Sequence, residues 1–359
     1  MSGILILRIY CLFLCFVKNT CSPTQPGVYC RDEQMRGEDM KKHLEKAFPR
    51  PACRASELSS DLARKIASLI GSAEKRITEI PGMSLHRRTA PTDLCPATYE
   101  PSVTVVAQGK KHVRLGQNTF IYDRSRYLLT SIDLPVVSRV VEATEETPCL
   151  VLFLKLEMAT IRELLSLEEI HIDSAPSDAL AMATGETTPE FLDACCRLLA
   201  LLETPRDIPF LSSLIQREII YRVLQGNAGA RLRAIATLGD HHQRTAKAIA
   251  WIKANYAKPI RVEDLAQIAG MSVSTFHHYF RVLTAMSPLQ YQKRLRLQAA
   301  RGRMLLDGLD AASAAFEVGY ESASQFNREY SRFFGQPPMR DIRALRSPGA
   351  PVLESVSAR

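Results

Sequence analysis

A short pattern occurs twice near the carboxyl end, and it limits this chain more than any other feature. The first copy reads Leu265, Ala266, Gly270, Met271, Ser272, then Phe276 and Phe280. The second reads Ala314, Ala315, Gly319, Tyr320, Ser322, then Phe326 and Tyr330. Phe276 to Phe326 is 50 positions, and Phe280 to Tyr330 is 50 as well. Each copy predicts a short helix, a tight turn at glycine and a second helix, the sequence form of a helix-turn-helix. Glycine suits the turn because it enters the left-handed region without a Cβ clash. Ser272 suits the following N-cap, with Met271 placed to staple onto Phe276, and Ser322 and Gln325 have capping-box spacing. The aromatic pairs are four residues apart, so each lines one face of its helix and packs inward. The opposite faces carry Val273, Ser274, His277, His278 and Arg281 in one copy, and Ala323, Ser324, Asn327 and Arg328 in the other.

Charge separates this region from the rest. The 359-residue chain holds 46 Lys+Arg and 38 Asp+Glu, a net charge of +8. Residues 241–346 contain 16 basic and 8 acidic residues, which leaves 30 against 30 elsewhere. A neutral body with one basic module is the electrostatic footprint of nucleic-acid binding. Between the copies, Ser287 and Pro288 open a helix expected to run to about Leu306, roughly 28 Å at 1.5 Å per residue. Successive major grooves on one face of a duplex lie roughly 34 Å apart, so such a rod can hold two recognition helices near that pitch. Lys293, Arg294, Arg296, Arg301 and Arg303 on this rod, with Arg281, are expected to contact phosphates and set register.

These residues, with Phe333 and the run Gly335, Gln336, Pro337, Pro338 and Met339, resemble the DNA-binding domain of AraC/XylS-type transcription regulators over about 245–346. The resemblance implies base contacts by Ser274, His277 and His278 in the first helix, and by Ala323, Ser324, Asn327 and Arg328 in the second. Arginine can hold guanine O6 and N7 together, which makes Arg328 the leading base contact, whereas Ala323 offers only apolar contact.

Upstream the pattern changes. Between 102 and 156, β-type runs alternate with turn signals at 108–110, 116–118 and 123–125, as in a barrel or sandwich. Helices are expected over 160–167, 189–202 and 208–225. Phe191, Cys195, Leu198 and Leu202 form one apolar stripe, and Leu211, Leu214, Ile215 and Ile219 another, the second with a face suited to a partner subunit. The stretch from Pro81 to Thr89, with Leu94, Cys95, Pro96, Tyr99 and Pro101, resembles the N-terminal domain fused to one subgroup of the same regulators. That resemblance implies a cupin-like β-barrel that binds a small effector and dimerises through the helices after it.

The expected fold is therefore α+β in two domains, a cupin-like barrel with dimerisation helices and an all-α domain with two helix-turn-helix motifs joined by a linker helix. The expected divisions are an extension at 1–34, a helical segment at 35–78, the effector and dimerisation domain at 79–226, a linker at 227–243, the DNA-binding domain at 244–346 and a tail at 347–359. The expected partners are double-stranded DNA at promoters, a small effector, RNA polymerase and a second copy of the chain, in the cytoplasm, with activation as the output. No cofactor and no metal are expected. Only His86 and His112 fall near the barrel runs, without an HxH pair, and phosphate-loop or nucleophile-elbow motifs are absent, so a cupin-type enzyme is a minor alternative.

All nine cysteines lie in the first 196 residues. An odd number in a long chain argues against a disulfide framework. Cys95, close in sequence to Arg87 and Arg88, is a candidate sensor of oxidants or electrophiles if those cations favour its thiolate. The apolar run at 4–17 is interrupted by Arg8 and is shorter than the roughly 20 residues that span a bilayer. It is read as part of an over-extended start, with Met35 or Met40 beginning the protein, against the rival reading of a membrane tether.

Overall fold

The computed structural model describes residues 51–167, 180–237 and 240–346. The expected extension at 1–34, the rest of the segment before 51 and the tail from 347 lie outside the described residues, as do Cys11, Cys15, Cys21 and Cys30.

The chain enters through helix α1 (Pro51–Ile70) and then builds one antiparallel sheet. Its strands are β1 (Lys75–Ile77), β2 (Met83–Arg88), β3 (Cys95–Tyr99), β4 (Ser102–Gln108), β5 (Lys110–Leu115), β6 (Asn118–Asp123), β7 (Arg126–Thr130), β8 (Leu134–Glu142), β9 (Cys149–Lys155) and β10 (Met182–Glu186). The order is β1-β2-β9-β4-β7-β6-β5-β8-β3, with β10 paired to β7. Helix α2 (Met158–Leu165) precedes β10, and α3 (Pro189–Ala200), α4 (Ile208–Gln225) and α5 (Gly229–Ala236) follow it. The sheet curves into a half-barrel followed by helices, as expected. The segment expected to link the domains is partly helical, since it contains α5 and the start of the next helix at His241.

Strand alternation divides the apolar residues between two cores. On one face Met83, Leu85, Val103, Val105, Leu150, Leu152 and Leu154 pack against Leu62 and Ile66 of α1, Phe191 and Leu198 of α3, and Ile220 and Val223 of α4. The other face presents Val106, Val113, Leu115, Tyr122, Leu128, Val136, Cys149 and Val151 to a second core.

That second core does not end with the sheet. It continues into the helices that follow: α6 (His241–Asn255), α7 (Val262–Ala269), α8 (Val273–Thr284) and α9 (Pro288–Gly302). Ile249, Ile252, Phe276, Phe280, Leu283, Tyr291 and Leu295 belong to the same buried cluster as the inner sheet residues. The remaining helices, α10 (Ala311–Glu317), α11 (Ala323–Phe334) and α12 (Pro338–Arg346), close a third core around Leu297, Met304, Phe326 and Tyr330.

Hydrogen bonds stitch the sheet to the first helical unit. The Tyr291 hydroxyl donates to the Asp133 carbonyl at 2.8 Å, and burial keeps that phenol neutral. Gln298 donates to the Ala97 carbonyl at 2.9 Å and accepts from the Thr98 hydroxyl. The Ala181 amide donates to the Leu283 carbonyl at 3.1 Å. Ala285, which ends α8 in the left-handed region at φ 56°, presses its Cβ against Gly116 in the β5–β6 turn. Lys253 of α6 reaches Asp133 at 2.6 Å and Glu100 at 3.1 Å. Burial pulls its pKa down, but the hydrogen bond and charge of Asp133, with Glu100, outweigh that and hold the ammonium charged. Each such polar contact contributes about 0.5–1.5 kcal/mol, whereas burying a side chain such as Leu295 contributes roughly 1.5–3 kcal/mol. Apolar packing therefore carries most of the docking energy, and the polar contacts fix its geometry.

Lys253→Ala should leave the Asp133 and Glu100 carboxylates with only the more distant Lys155, 4.0 Å from Glu100, to offset them. The expected loss is about 1 kcal/mol of stability, with faster amide exchange in residues 130–134 and in α6, read by hydrogen-exchange mass spectrometry.

Candidate nucleic-acid interface

The first repeat forms α7, a turn and α8. Gly270 sits at φ 60° in the left-handed region, and the Met271 amide returns to the Ala266 carbonyl at 2.9 Å. Ser272 caps α8 by accepting from the Thr275 amide at 3.2 Å. Phe276 and Phe280 are fully buried and meet edge to face, with ring centroids 5.4 Å apart. The second repeat copies this plan through α10 and α11. The Tyr320 amide returns to the Ala315 carbonyl at 2.9 Å, and Ser322 accepts from the Gln325 amide at 3.3 Å. The reciprocal half of the expected capping box is not formed here, and the Gln325 amide nitrogen donates to Glu329. A complete box forms at Ser287 and Gln290, where it starts α9 with Pro288 at its first position.

With the aromatic faces turned inward, both recognition helices present their opposite faces to solvent. Ser274, His277, His278 and Arg281 are exposed on α8; Ser324, Asn327 and Arg328 are exposed on α11, and Ala323 is half-buried in its first turn. All seven expected base-contact positions thus stand on the outer faces of their helices. Tyr279 stacks on His241 at 4.6 Å and meets His278 edge-on at 5.2 Å, which restricts the His278 ring.

The expected phosphate contacts fare differently. Arg281 is exposed. Lys293 is exposed but paired with Glu329 at 2.9 Å. Burial tends to raise the Glu329 pKa, but hydrogen bonds from Lys293, Tyr320 and Gln325 outweigh it and hold the carboxyl below its ordinary range. Arg294 is half-buried with its guanidinium 5.8 Å from the Phe333 ring centre. Two arginines leave the expected set. Arg301 is buried and bidentate to Asp341 at 2.7 and 2.8 Å, with the Tyr330 hydroxyl on the same carboxylate. Arg296 donates to four backbone carbonyls: Tyr256 at 2.7 Å, Gly319 at 2.8 Å, Lys258 at 3.0 Å and Ala257 at 3.2 Å. Gln292 also donates to the Tyr256 and Lys258 carbonyls, at 2.8 and 2.7 Å, so Arg296 supplies the side-chain donor for Ala257 and Gly319 and adds to that for the other two.

Arg296 therefore joins the two helix-turn-helix units. Three of its acceptors follow α6 in the first unit, and the fourth is the turn glycine of the second. Gly319 lies at φ 90°, and a Cβ there would fall 1.9 Å from the Ala257 carbonyl oxygen, so no other residue permits this approach. Along the rod, α9 covers 15 residues before a π-helical turn at Arg303–Asp307 and a left-handed Gly308. The α-helical part is thus about 22 Å long, and the π-helical turn carries the rod on to Asp307, near its expected end.

The cysteines are equally specific in placement. Cys95 is half-buried at the start of β3, opposite Ser138 of β8. Arg88 ends β2 and pairs with Glu74 at 3.1 Å. Cys195 and Cys196 lie on the buried face of α3, where burial raises both thiols, Cys196 to about 12. Among the described residues no group of three or more His, Cys, Asp or Glu side chains is arranged to hold a metal ion, and no helix is long and apolar enough to cross a membrane.

Residues 79–231 match the family described as the AraC-type transcriptional regulator N-terminus, and residues 265–344 match a helix-turn-helix domain family. The chain belongs to the AraC/XylS family. It is 26% identical over 153 residues to the HTH-type transcriptional regulator ArgR of Pseudomonas aeruginosa, covering 43% of this chain and 46% of that protein. It is 28% identical over 144 residues to GbdR of the same species, covering 40% of this chain and 39% of that one. The matches thus span less than half the length of these relatives. Unsaturated fatty acid bound ToxT from Vibrio cholerae shares the fold, with a TM-score of 0.51 at 9% identity over 78% of this chain and 100% of that one.

Arg296→Ala should lower stability by about 2–3 kcal/mol, since the Ala257 and Gly319 carbonyls lose their side-chain donor while Tyr256 and Lys258 keep Gln292. Arg296→Lys should recover little of this in thermal melts, because a single ammonium cannot span the same four acceptors.

Proposed function

We propose that this chain is a sequence-specific DNA-binding transcription regulator that reads two consecutive stretches of duplex and answers to a small effector. The observation that carries the reading is the pair of recognition helices, α8 and α11, with buried aromatic faces, exposed polar faces and a fixed join through Arg296. Base edges meet Ser274, His277 and His278 from one helix and Ala323, Ser324, Asn327 and Arg328 from the other. Arg281, Lys293, Arg294 and Arg303 are the phosphate contacts that remain, with Arg303 exposed and paired with Glu317 at 2.9 Å. Activation through RNA polymerase is the expected output.

The effector enters the half-barrel. Its inner face carries Lys111, buried at 4% exposure, buried Ser138 and a Tyr99–Tyr122 hydroxyl pair 3.4 Å apart, which are polar anchors in a mainly apolar wall. Because that wall is continuous with the core of the first helix-turn-helix unit, a ligand packed there changes the contacts of α6, α8 and α9. Occupancy thereby shifts the balance between arrangements of the reading helices. The chain acts as a homodimer through α4, whose outer face exposes Phe210 (75%), Leu211 (42%) and Leu214 (59%) beside buried Ile219 and Ile220.

Arg328→Ala should relax base preference at one position and cost roughly 1–3 kcal/mol of specific binding, measured on a duplex that the protein itself selects from a random pool. Binding of target and scrambled duplexes unchanged from the parent refutes the assignment. Leu214→Glu should convert a dimer to a monomer in sedimentation velocity, and a dimer that persists removes α4 from the interface.

A further inference from the structure

The half-barrel carries charge where no helix-turn-helix needs it. In β5 the inward positions are Lys111, Val113 and Leu115, so Lys110, His112 and Arg114 face outward. In β8 the inward Val136, Ser138 and Val140 leave Val137, Arg139 and Val141 outward. Register places His112 opposite Arg139, and Arg114 opposite Val137. Neighbouring β6 adds Thr119 and Ile121 to this face, and β3 adds Pro96 and Thr98.

The acids here gather at one end. Lys110 is paired with Glu142 at 2.5 Å, near Asp123. Toward the other end, Arg114 and Arg139 are exposed, and no ion pair is formed by either among the described residues. The cations also press on one another. Burial, then Arg139 and Lys110, lower the His112 pKa. Burial, then the Arg114 guanidinium, lower that of Arg294. Like charges held together without acids destabilise the folded chain unless an anion visits them.

The patch has a neighbour that names the anion. Helix α9 contacts β3 and β8, and Gln298 is hydrogen-bonded to Ala97 and Thr98 at that seam. Arg294 stands one turn before Gln298 on the rod that joins the two reading units. The basic strip therefore runs without a break from the rod onto the sheet.

We infer that the outer face of β5 and β8, through Arg114 and Arg139, grips the phosphate backbone of duplex DNA flanking the bases read by α8 and α11. This rests on the DNA-reading function above and adds a sequence-independent contact from the effector domain itself. It makes the barrel part of the footprint, so that effector state and flanking contact are coupled.

The test uses the full chain and a duplex selected from a random pool, in two forms: the minimal bound stretch, and the same stretch extended by one to two turns on each side. Affinity is followed by fluorescence anisotropy over a range of KCl concentrations. The parent should bind the extended duplex more tightly and with a steeper salt dependence. Arg114→Gln with Arg139→Gln should flatten the slope on the extended duplex by about 2, near 0.9 per lost phosphate contact, and leave the minimal duplex unchanged. Arg114→Lys with Arg139→Lys should keep the parental slope. A glutamine variant whose slope on the extended duplex equals the parent's, or whose loss is equal on both duplexes, overturns the inference while leaving DNA reading intact. A parent that binds neither duplex overturns both.

Discussion

Two reading helices are useful only if the angle between them is set, and one guanidinium sets it. Arg296 collects carbonyls from the end of α6 and from the turn of the second repeat, so neither unit can rotate about the rod without breaking charge-assisted hydrogen bonds. Gly319 is the geometric counterpart, since only a residue without Cβ lets the second turn lie against the Ala257 carbonyl. The exposed faces of α8 and α11 inherit their relation from this join. The residues proposed to touch bases and the residue that orients their helices are different, and the orienting one is half-buried.

A second constraint couples the halves of the protein. The inner sheet and the first helix-turn-helix unit share one apolar core, whereas the second unit has its own. An interior packed at crystal-like density does not deform by small degrees; it repacks. Under the proposed function, a ligand in the half-barrel acts on the first unit directly and on the second through α9 and Arg296. The ion triad of Lys253, Asp133 and Glu100 and the strained Ala285 sit on the same seam, where the docking is most sensitive to displacement.

Much of the local structure was legible beforehand. Helix 208–225 appears with its expected bounds, the strands at 102–142 fall where turn residues bracket them, and both turns carry their glycines. The buried faces of the recognition helices follow from aromatic spacing alone. Strands β1, β2, β3 and β10 and helix α5 were not foreseen as elements, and β1 falls in the segment 35–78 expected to be helical. Each is short, and β2 and β3 interleave polar residues such as His86, Arg87 and Thr98 that become intelligible only from the pairing partner. The rod ends where it was expected to, before Gly308, but the π-helical winding of 303–307 carries no short-range signal.

Local periodicity, caps and glycine positions determined the elements and the twofold repeat of the motif, because those signals act within a few residues. Net charge by segment marked the basic unit. Only the tertiary structure decided which basic side chains remain at the surface. Arg294, Arg296 and Arg301 are nearly neighbours in sequence, yet one lies half-buried over Phe333, one is spent on four carbonyls and one is sealed against Asp341. Their partners lie 23 to 40 positions away or on other helices, and the contacts between sheet and rod span up to 201. No short-range rule reaches that far, since the competition for each donor is settled by whichever acceptors folding brings to it.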